Sequence, residues 1–191
     1  MKKIAIVYHS GYGHTARLAE AVRDGATAAG ASATLYSVTE LGDTQWDELA
    51  AADAIIFGAP TYMGSVSAPF KAFMDTSSKV WFTQGWKNKL AAGFTNSASQ
   101  SGDKLNSLIQ MMVFAGQHAM LWVSLGLMPG NNSSKGAVSD LNRIGSYSGA
   151  MAQSNSDQGA DAMQESDLAT GRELGKRVAG AALAYDRSAM V

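Results

Sequence analysis

The chain has no cysteine. That removes disulfides, thiolate nucleophiles and every cysteine-held metal or iron–sulfur centre. Its three histidines, His9, His14 and His118, are scattered without paired carboxylates, so no metal site is expected. Charged residues are sparse, at 16%, and 15 Lys and Arg nearly cancel 16 Asp and Glu. This balance gives no basic footprint for nucleic acid or anionic lipid, and neither is an expected partner. No apolar run approaches the ~20 residues that span a membrane. The opening Met1-Lys2-Lys3, followed only by the short apolar run Ile4 to Tyr8, does not read as a leader. A cytoplasmic protein is the expectation.

What is present suits a globular α/β chain. Hydrophobic residues make up 46% of the 191 positions, enough for one core, and a single domain over 1–191 is expected. Ile4 to Tyr8 and Ala54 to Phe57 are apolar on successive residues, as strands covered on both faces are. Ala33 to Val38, Leu90 to Thr95 and Ala119 to Leu125 read as three further strands. Between them, helical spacing predicts helices over His14–Ala29, Thr44–Ala52, Ala68–Lys79 and Lys104–Gly116, with Gly58 to Tyr62 as a loop. Repeated strand–loop–helix units point to a parallel sheet with helices on each side. Residues 126–165, rich in Gly, Ser, Asn and Asp, read as a long loop that is functional or partly mobile. Ser166 to Leu183 reads as a last helix and 186–191 as a tail.

Chemistry concentrates just past the first strand. In Ser10-Gly11-Tyr12-Gly13-His14-Thr15 two glycines let the backbone turn tightly, so that successive N–H groups converge. A helix begins there and adds its unpaired N–H groups and the positive end of its dipole. Ser10 and Thr15 offer hydroxyls at the two ends. Such a loop holds a phosphate without Lys or Arg, although taken alone it also fits an ordinary glycine turn with helix-capping hydroxyls. It is neither a dinucleotide fingerprint, since position 16 is Ala16, nor a Walker loop, since no Gly-Lys-Ser/Thr follows.

Three segments in order carry a resemblance: Ser10 to Thr15, then Gly58-Ala59-Pro60-Thr61-Tyr62-Met63-Gly64, then Phe94-Thr95-Asn96-Ser97. Together they resemble the flavodoxin-like proteins, and within them the tryptophan-repressor-binding-protein family of NAD(P)H:quinone oxidoreductases. Trp81 and His118 stand where that family has a Trp beyond the second loop and a His before the fifth strand. The stretch between the second and third strands is shorter than is usual there, and the third loop has fewer glycines.

The resemblance implies a three-layer flavodoxin-like α/β fold with a five-stranded parallel sheet in the order 2-1-3-4-5. FMN would lie at the carboxyl ends of the strands. Its expected binding residues are Ser10, Gly11, Tyr12, Gly13, His14, Thr15, Pro60, Thr61, Tyr62, Met63, Asn96, Ser97, Ala98, Ser99, Gln100, Ser101 and His118. Tyr12 and Trp81 would meet the substrates, Trp81 as a stacking wall; an interface or core aromatic is the alternative. His118 would hydrogen-bond acceptor or flavin and deliver a proton, and a buried or capping histidine is the alternative. The implied activity is hydride transfer from NADH or NADPH through FMN to a quinone. A one-electron flavodoxin carrier and an FMN or azo reductase remain the alternatives. The family commonly forms dimers and tetramers, so a homo-oligomer is expected.

Overall fold

The computed structural model describes residues 1–190; Val191, the last residue of the expected tail, lies outside the described residues. Strand β1 (Lys3–Tyr8) leads into helix α1 (His14–Ala28), and β2 (Ser32–Ser37) into α2 (Asp43–Ala51). After β3 (Ala54–Tyr62) and the short β4 (Ser65–Val66) come α3 (Ala68–Thr76) and α4 (Ser78–Phe82). Next are β5 (Leu90–Ser97), α5 (Lys104–Gln117), β6 (Leu121–Trp122), β7 (Ala150–Gln153) and α6 (Glu165–Ala184).

The sheet runs β2-β1-β3-β5 in parallel, and its fifth position is filled in two pieces. β6 pairs with Leu90 and Ala91, while β7 pairs with Phe94 to Ser97. The expected five-position order therefore stands, but the fifth strand is not the continuous Ala119–Leu125. After Val123 N donates to Ala91 O (2.7 Å), the chain leaves the sheet and re-enters at Ala150. Trp122 Nε1 donates to Ser148 O (2.7 Å) and ties the two ends of this excursion together. Asp140 Oδ2 accepts from Asn131 N (2.9 Å) and Ala137 N (2.8 Å), an internal brace for its tip. Residues 126–165, expected as a long loop, have neither helix nor strand up to residue 149 and then carry β7 and a 3₁₀ turn at Ala160–Ala162. Arg187–Ala189 forms another such turn within the expected tail.

Alternation along β1 divides the core in two. Ile4 and Ile6 face α1 and α6, meeting Leu18, Val22, Leu174 and Val178. Ala5 and Val7 face the other layer, where α2, α3 and α5 supply Leu49, Phe70, Phe73, Leu108 and Phe114. Each fully buried Ile, Leu or Phe of this kind contributes about 1.5–3 kcal/mol. α1 and α6 pack closely because Gly171 lets Leu18 approach; a Cβ on Gly171 would lie 2.8 Å from Leu18 Cδ1.

Two further boundaries differ from expectation. Gly58 to Tyr62 is not a loop: β3 continues through it to Tyr62. Met63 (φ 50°) and Gly64 (φ 78°) then form a two-residue hairpin turn of type I′ into β4. The third expected helix breaks at Ser77, whose hydroxyl donates to Met74 O (2.7 Å).

Candidate active site

The registers of the sheet align three loops. Tyr8 sits beside Gly58, and Pro60 beside Asn96, so β3 and β5 run past the end of β1 and all three loops follow at the carboxyl edge of the sheet. β2 and β3 flank β1 on opposite sides, which opens a crevice at the carboxyl ends where successive connections diverge. The crevice encloses about 900 Å³, within the ~300–1,000 Å³ usual for small-molecule sites. From the first loop Ser10, Tyr12, His14 and Thr15 line it; from the second, Pro60, Thr61, Tyr62 and Met63; from the third, Asn96, Ser97, Ala98 and Ser99. No Asp, Glu, Lys or Arg side chain is among the lining residues.

The first loop is built for an anion held by neutral donors. Ser10 Oγ accepts from Gly13 N (3.1 Å), which leaves the hydroxyl proton free to donate. Gly13 lies at φ 89°, the left-handed region glycine tolerates, and opens α1 there. Gly11 is glycine for a different reason. A Cβ on it would come within 2.6 Å of the Tyr62 hydroxyl, which folds over the loop. Tyr12 and Tyr62 meet edge to face with centroids 6.4 Å apart, forming an aromatic rim; burial raises the Tyr62 pKa, with Tyr12 adding to it.

Beneath the second loop, Thr61 turns its hydroxyl inward, 2.8 Å from Thr95 Oγ1 and 2.7 Å from Ser107 Oγ. Its side chain braces β3 against β5 and α5. Asn96 donates from Nδ2 to Ser154 Oγ (2.8 Å), while its buried Oδ1 has no protein partner. An unpaired buried acceptor costs about 1–3 kcal/mol, so this amide on the crevice wall is suited to a ligand donor.

The sequence missed one wall altogether. Ser154, Asn155, Ser156 and Gln158 line the crevice, and His14 Nε2–H donates to Gln158 O (2.9 Å), tying this segment to the first loop. Gly64 and Gly102 complete the lining. The only sequence signal was the small-residue run Gly149-Ala150-Met151-Ala152, too short to mark a strand.

Other expected residues lie elsewhere. Gly11 and Gly13 shape the loop through their backbones. Gln100 and Ser101 turn into a neighbouring cavity of about 630 Å³ with Asp103 and Lys104. His118 is not in the crevice. α5 starts beside the third loop and runs back along the sheet, and its 14 residues carry His118 about 21 Å to the opposite end. There His118 is 1% exposed, against Trp86 and Phe114 with ring centroids at 4.5 and 4.9 Å. Its Nε2 lies 2.9 Å from Ser77 Oγ and its Nδ1 is unpartnered. Burial pushes its pKa down to about 4, so the ring is neutral at pH 7. Within its own chain His118 is therefore buried, at the edge of a groove of about 480 Å³ that Trp81 also lines. Trp81 is also outside: it sits on α4, 44% exposed, over a shallow groove with Met74 and Val113.

Residues 3–128 match the model of the NADPH-dependent FMN reductase family. The chain belongs to that family. It is 47% identical over 179 residues to "Flavodoxin FldP" of Pseudomonas aeruginosa, covering 94% of this chain and 96% of that protein. It is 31% identical over 201 residues to an "NAD(P)H dehydrogenase (quinone)" of Archaeoglobus fulgidus, with coverages of 94% and 96%. Among solved structures, a flavodoxin, WrbA-like protein from Agrobacterium tumefaciens superposes with a TM-score of 0.79 at 45% identity, over 97% of this chain and all (100%) of that one. The flavodoxin-like resemblance and the three-layer fold accord with these relatives, as do FMN and NAD(P)H as cofactor and co-substrate. Among the described residues no helix is long and apolar enough to cross a membrane, and no cluster of His, Asp and Glu could hold a metal.

Proposed function

We propose that this FMN-dependent oxidoreductase seats its flavin in the crevice and uses NADH or NADPH to reduce a quinone-like acceptor. The observation that carries the reading is the convergence of three sequence-distant loops, rich in amides and hydroxyls and with no Asp, Glu, Lys or Arg side chain lining the space between them, at the switch point of the sheet. The donor set fits the cofactor: Ser10, Thr15 and the amides at the start of α1 suit a phosphate, and the unpaired Asn96 Oδ1 suits a ring N–H. When bound, FMN supplies the hydride chemistry, accepting from a nicotinamide and giving to the acceptor.

The chain's own residues position and shield. Tyr12, Tyr62 and the exposed Met63 form the rim against which a flat substrate rests. Ser154 to Gln158 close the side facing the first loop, latched by His14. One crevice serves both substrates, so they bind in turn and the kinetics are ping-pong. Parallel double-reciprocal plots are expected; intersecting lines would contradict a shared site.

The direct test is an absorption spectrum of the purified protein with FMN, followed by anaerobic NADPH or NADH and then benzoquinone. Yellow protein bleached by reduced nicotinamide and recoloured by quinone supports the reading. The relative named flavodoxin favours a second reading, a one-electron carrier. A carrier would accumulate a half-reduced state on stepwise dithionite titration and be bleached slowly by NADPH. Comparing free FMN and an azo dye with benzoquinone in steady state separates the remaining acceptor classes.

Trp81 reaches no substrate within its own chain. With Phe82, Ile109 and Val113 it forms an exposed apolar face on α4 and α5, suited to a second copy of the chain. Light scattering at micromolar concentration should find a dimer or tetramer; a monomer would remove that role for Trp81.

A further inference from the structure

The third loop is a thin partition between the crevice and the 630 Å³ cavity behind it. It is pinned from behind at three successive carbonyls. Ala98 O accepts from Gln153 Nε2 (2.9 Å), and Ser99 O and Gln100 O accept from Lys104 Nζ at 2.5 and 2.9 Å. A trans peptide points its N–H opposite to its C=O. Fixing these carbonyls on the Lys104 side therefore aims the N–H groups of Ser99, Gln100 and Ser101 away from it, and of the three residues Ser99 lines the crevice.

Lys104 itself is fully buried. Its partners are neutral carbonyls rather than carboxylates. The neighbouring cation, Arg143, is already matched by Asp167 through two bonds of 2.8 and 2.7 Å. Asp167 is further engaged by Gln153 N (2.9 Å), and Gln153 is the residue that pins Ala98. Lys104 is thus a charge without an ion-pair partner, one loop's thickness from the crevice. Burial lowers its pKa to about 8, Asp167 opposing the shift and Arg143 adding to it, so the ammonium persists at pH 7.

We propose that Lys104 is a positioning residue that sets the amides of the third loop and, through its buried charge, favours the reduced, negatively charged form of bound flavin over the oxidised form. The physical basis is that charge in a region of low dielectric acts across a loop, and that pre-aimed N–H groups need no reorganisation when negative charge develops. The proposal rests on the flavin reading above and goes beyond it, because it assigns the tuning to a side chain that does not line the crevice.

The test compares wild type with Lys104→Met, Lys104→Gln and Lys104→Arg by two readouts: the FMN dissociation constant from fluorescence quenching, and the midpoint potential from dye-coupled titration. Lys104→Met should weaken binding of reduced FMN about tenfold more than binding of oxidised FMN, a fall in potential of about 30 mV for a two-electron couple. Lys104→Gln keeps an amide donor but drops the charge, and its potential should fall likewise; it also serves if the methionine variant does not fold. Lys104→Arg should return the potential toward wild type. A neutral variant that binds FMN at an unchanged potential overturns the proposal alone, as does an arginine variant shifted as far as the methionine one. Failure of wild type to bind FMN overturns the flavin reading and this proposal with it.

Discussion

The two ends of the sheet hold different residue types and use them oppositely. At the carboxyl ends, hydroxyls, amides and glycines surround open space with no Asp, Glu, Lys or Arg side chain. At the amino ends, Trp86, Phe73, Phe114 and His118 pack ring against ring, and Lys89 is buried with its Nζ donating to Ala50 O (2.6 Å) and Ala52 O. His118 reads as chemistry in the sequence, yet it lies at the end of the sheet opposite the crevice. In a parallel α/β sheet the crevice forms only where connections diverge, so the far end is free to be core.

The largest effect expected from this contrast lies in the first loop. Ser10→Val with Thr15→Val removes two hydroxyls suited to a phosphate, each such charge-assisted bond being worth about 1.5–3 kcal/mol. The FMN dissociation constant should rise about a thousandfold, roughly 4 kcal/mol, while the thermal midpoint moves only a few degrees. A double variant as yellow as its parent would show that the anchor is elsewhere.

At the opposite end, His118→Gln should leave NADPH-driven flavin reduction within twofold of wild type and change the acid limb of stability instead. His118 has its folded pKa lowered from 6.5 to about 4, so the unfolded chain binds the extra proton between those values. Wild-type stability should therefore fall as pH drops from about 6.5 toward 4, by at most about 3 kcal/mol, and be flat in this term above pH 7. Urea midpoints measured across that window should show a shallower decline in the variant. If the variant instead lost turnover at pH 7 with an unchanged acid limb, His118 would belong to the chemistry after all.

How far this division was legible follows from what a sequence can encode. Runs such as Ile4 to Val7 and Ala54 to Phe57 announce buried strands because both faces are apolar, and the glycines of the first loop announce a sharp turn. These marked a parallel α/β sheet and its first loop, while the sheet order and the second and third loops of the crevice came from the resemblance to the flavodoxin-like proteins. The split fifth strand was hidden because Leu121–Trp122 and Ala150–Gln153 are each too short to carry a period, and only their common partner β5 unites them. The wall from Ser154 to Gln158 was hidden with them. His118 and Trp81 were placed by resemblance rather than by topology: in a parallel sheet each helix returns the chain to the amino ends, and both residues follow the predicted helices.

Lys89→Met sharpens the comparison at smaller scale. It would leave the carbonyls of Ala50 and Ala52, at the end of α2, without their buried donor, at a cost of about 2 kcal/mol. FMN affinity should not change, since Lys89 lies at the amino ends of the strands. A matched loss of affinity in Lys89→Met would mean that the two ends are coupled through the sheet rather than independent.

The smallest effect concerns the rim. Met63 occupies the left-handed region at φ 50° with its side chain fully exposed, so neither burial nor backbone preference explains a methionine there. The first position of a type I′ turn favours asparagine, and Met63→Asn should raise stability by less than 1 kcal/mol, about 1–3 °C in thermal midpoint. Strained residues that persist tend to border functional sites. If Met63 rests on a bound flat substrate, the stabilised variant should show a several-fold higher KM for benzoquinone with kcat nearly unchanged. Unchanged KM alongside the gain in stability would remove Met63 from the acceptor's contact surface and leave Tyr12 and Tyr62 as its rim.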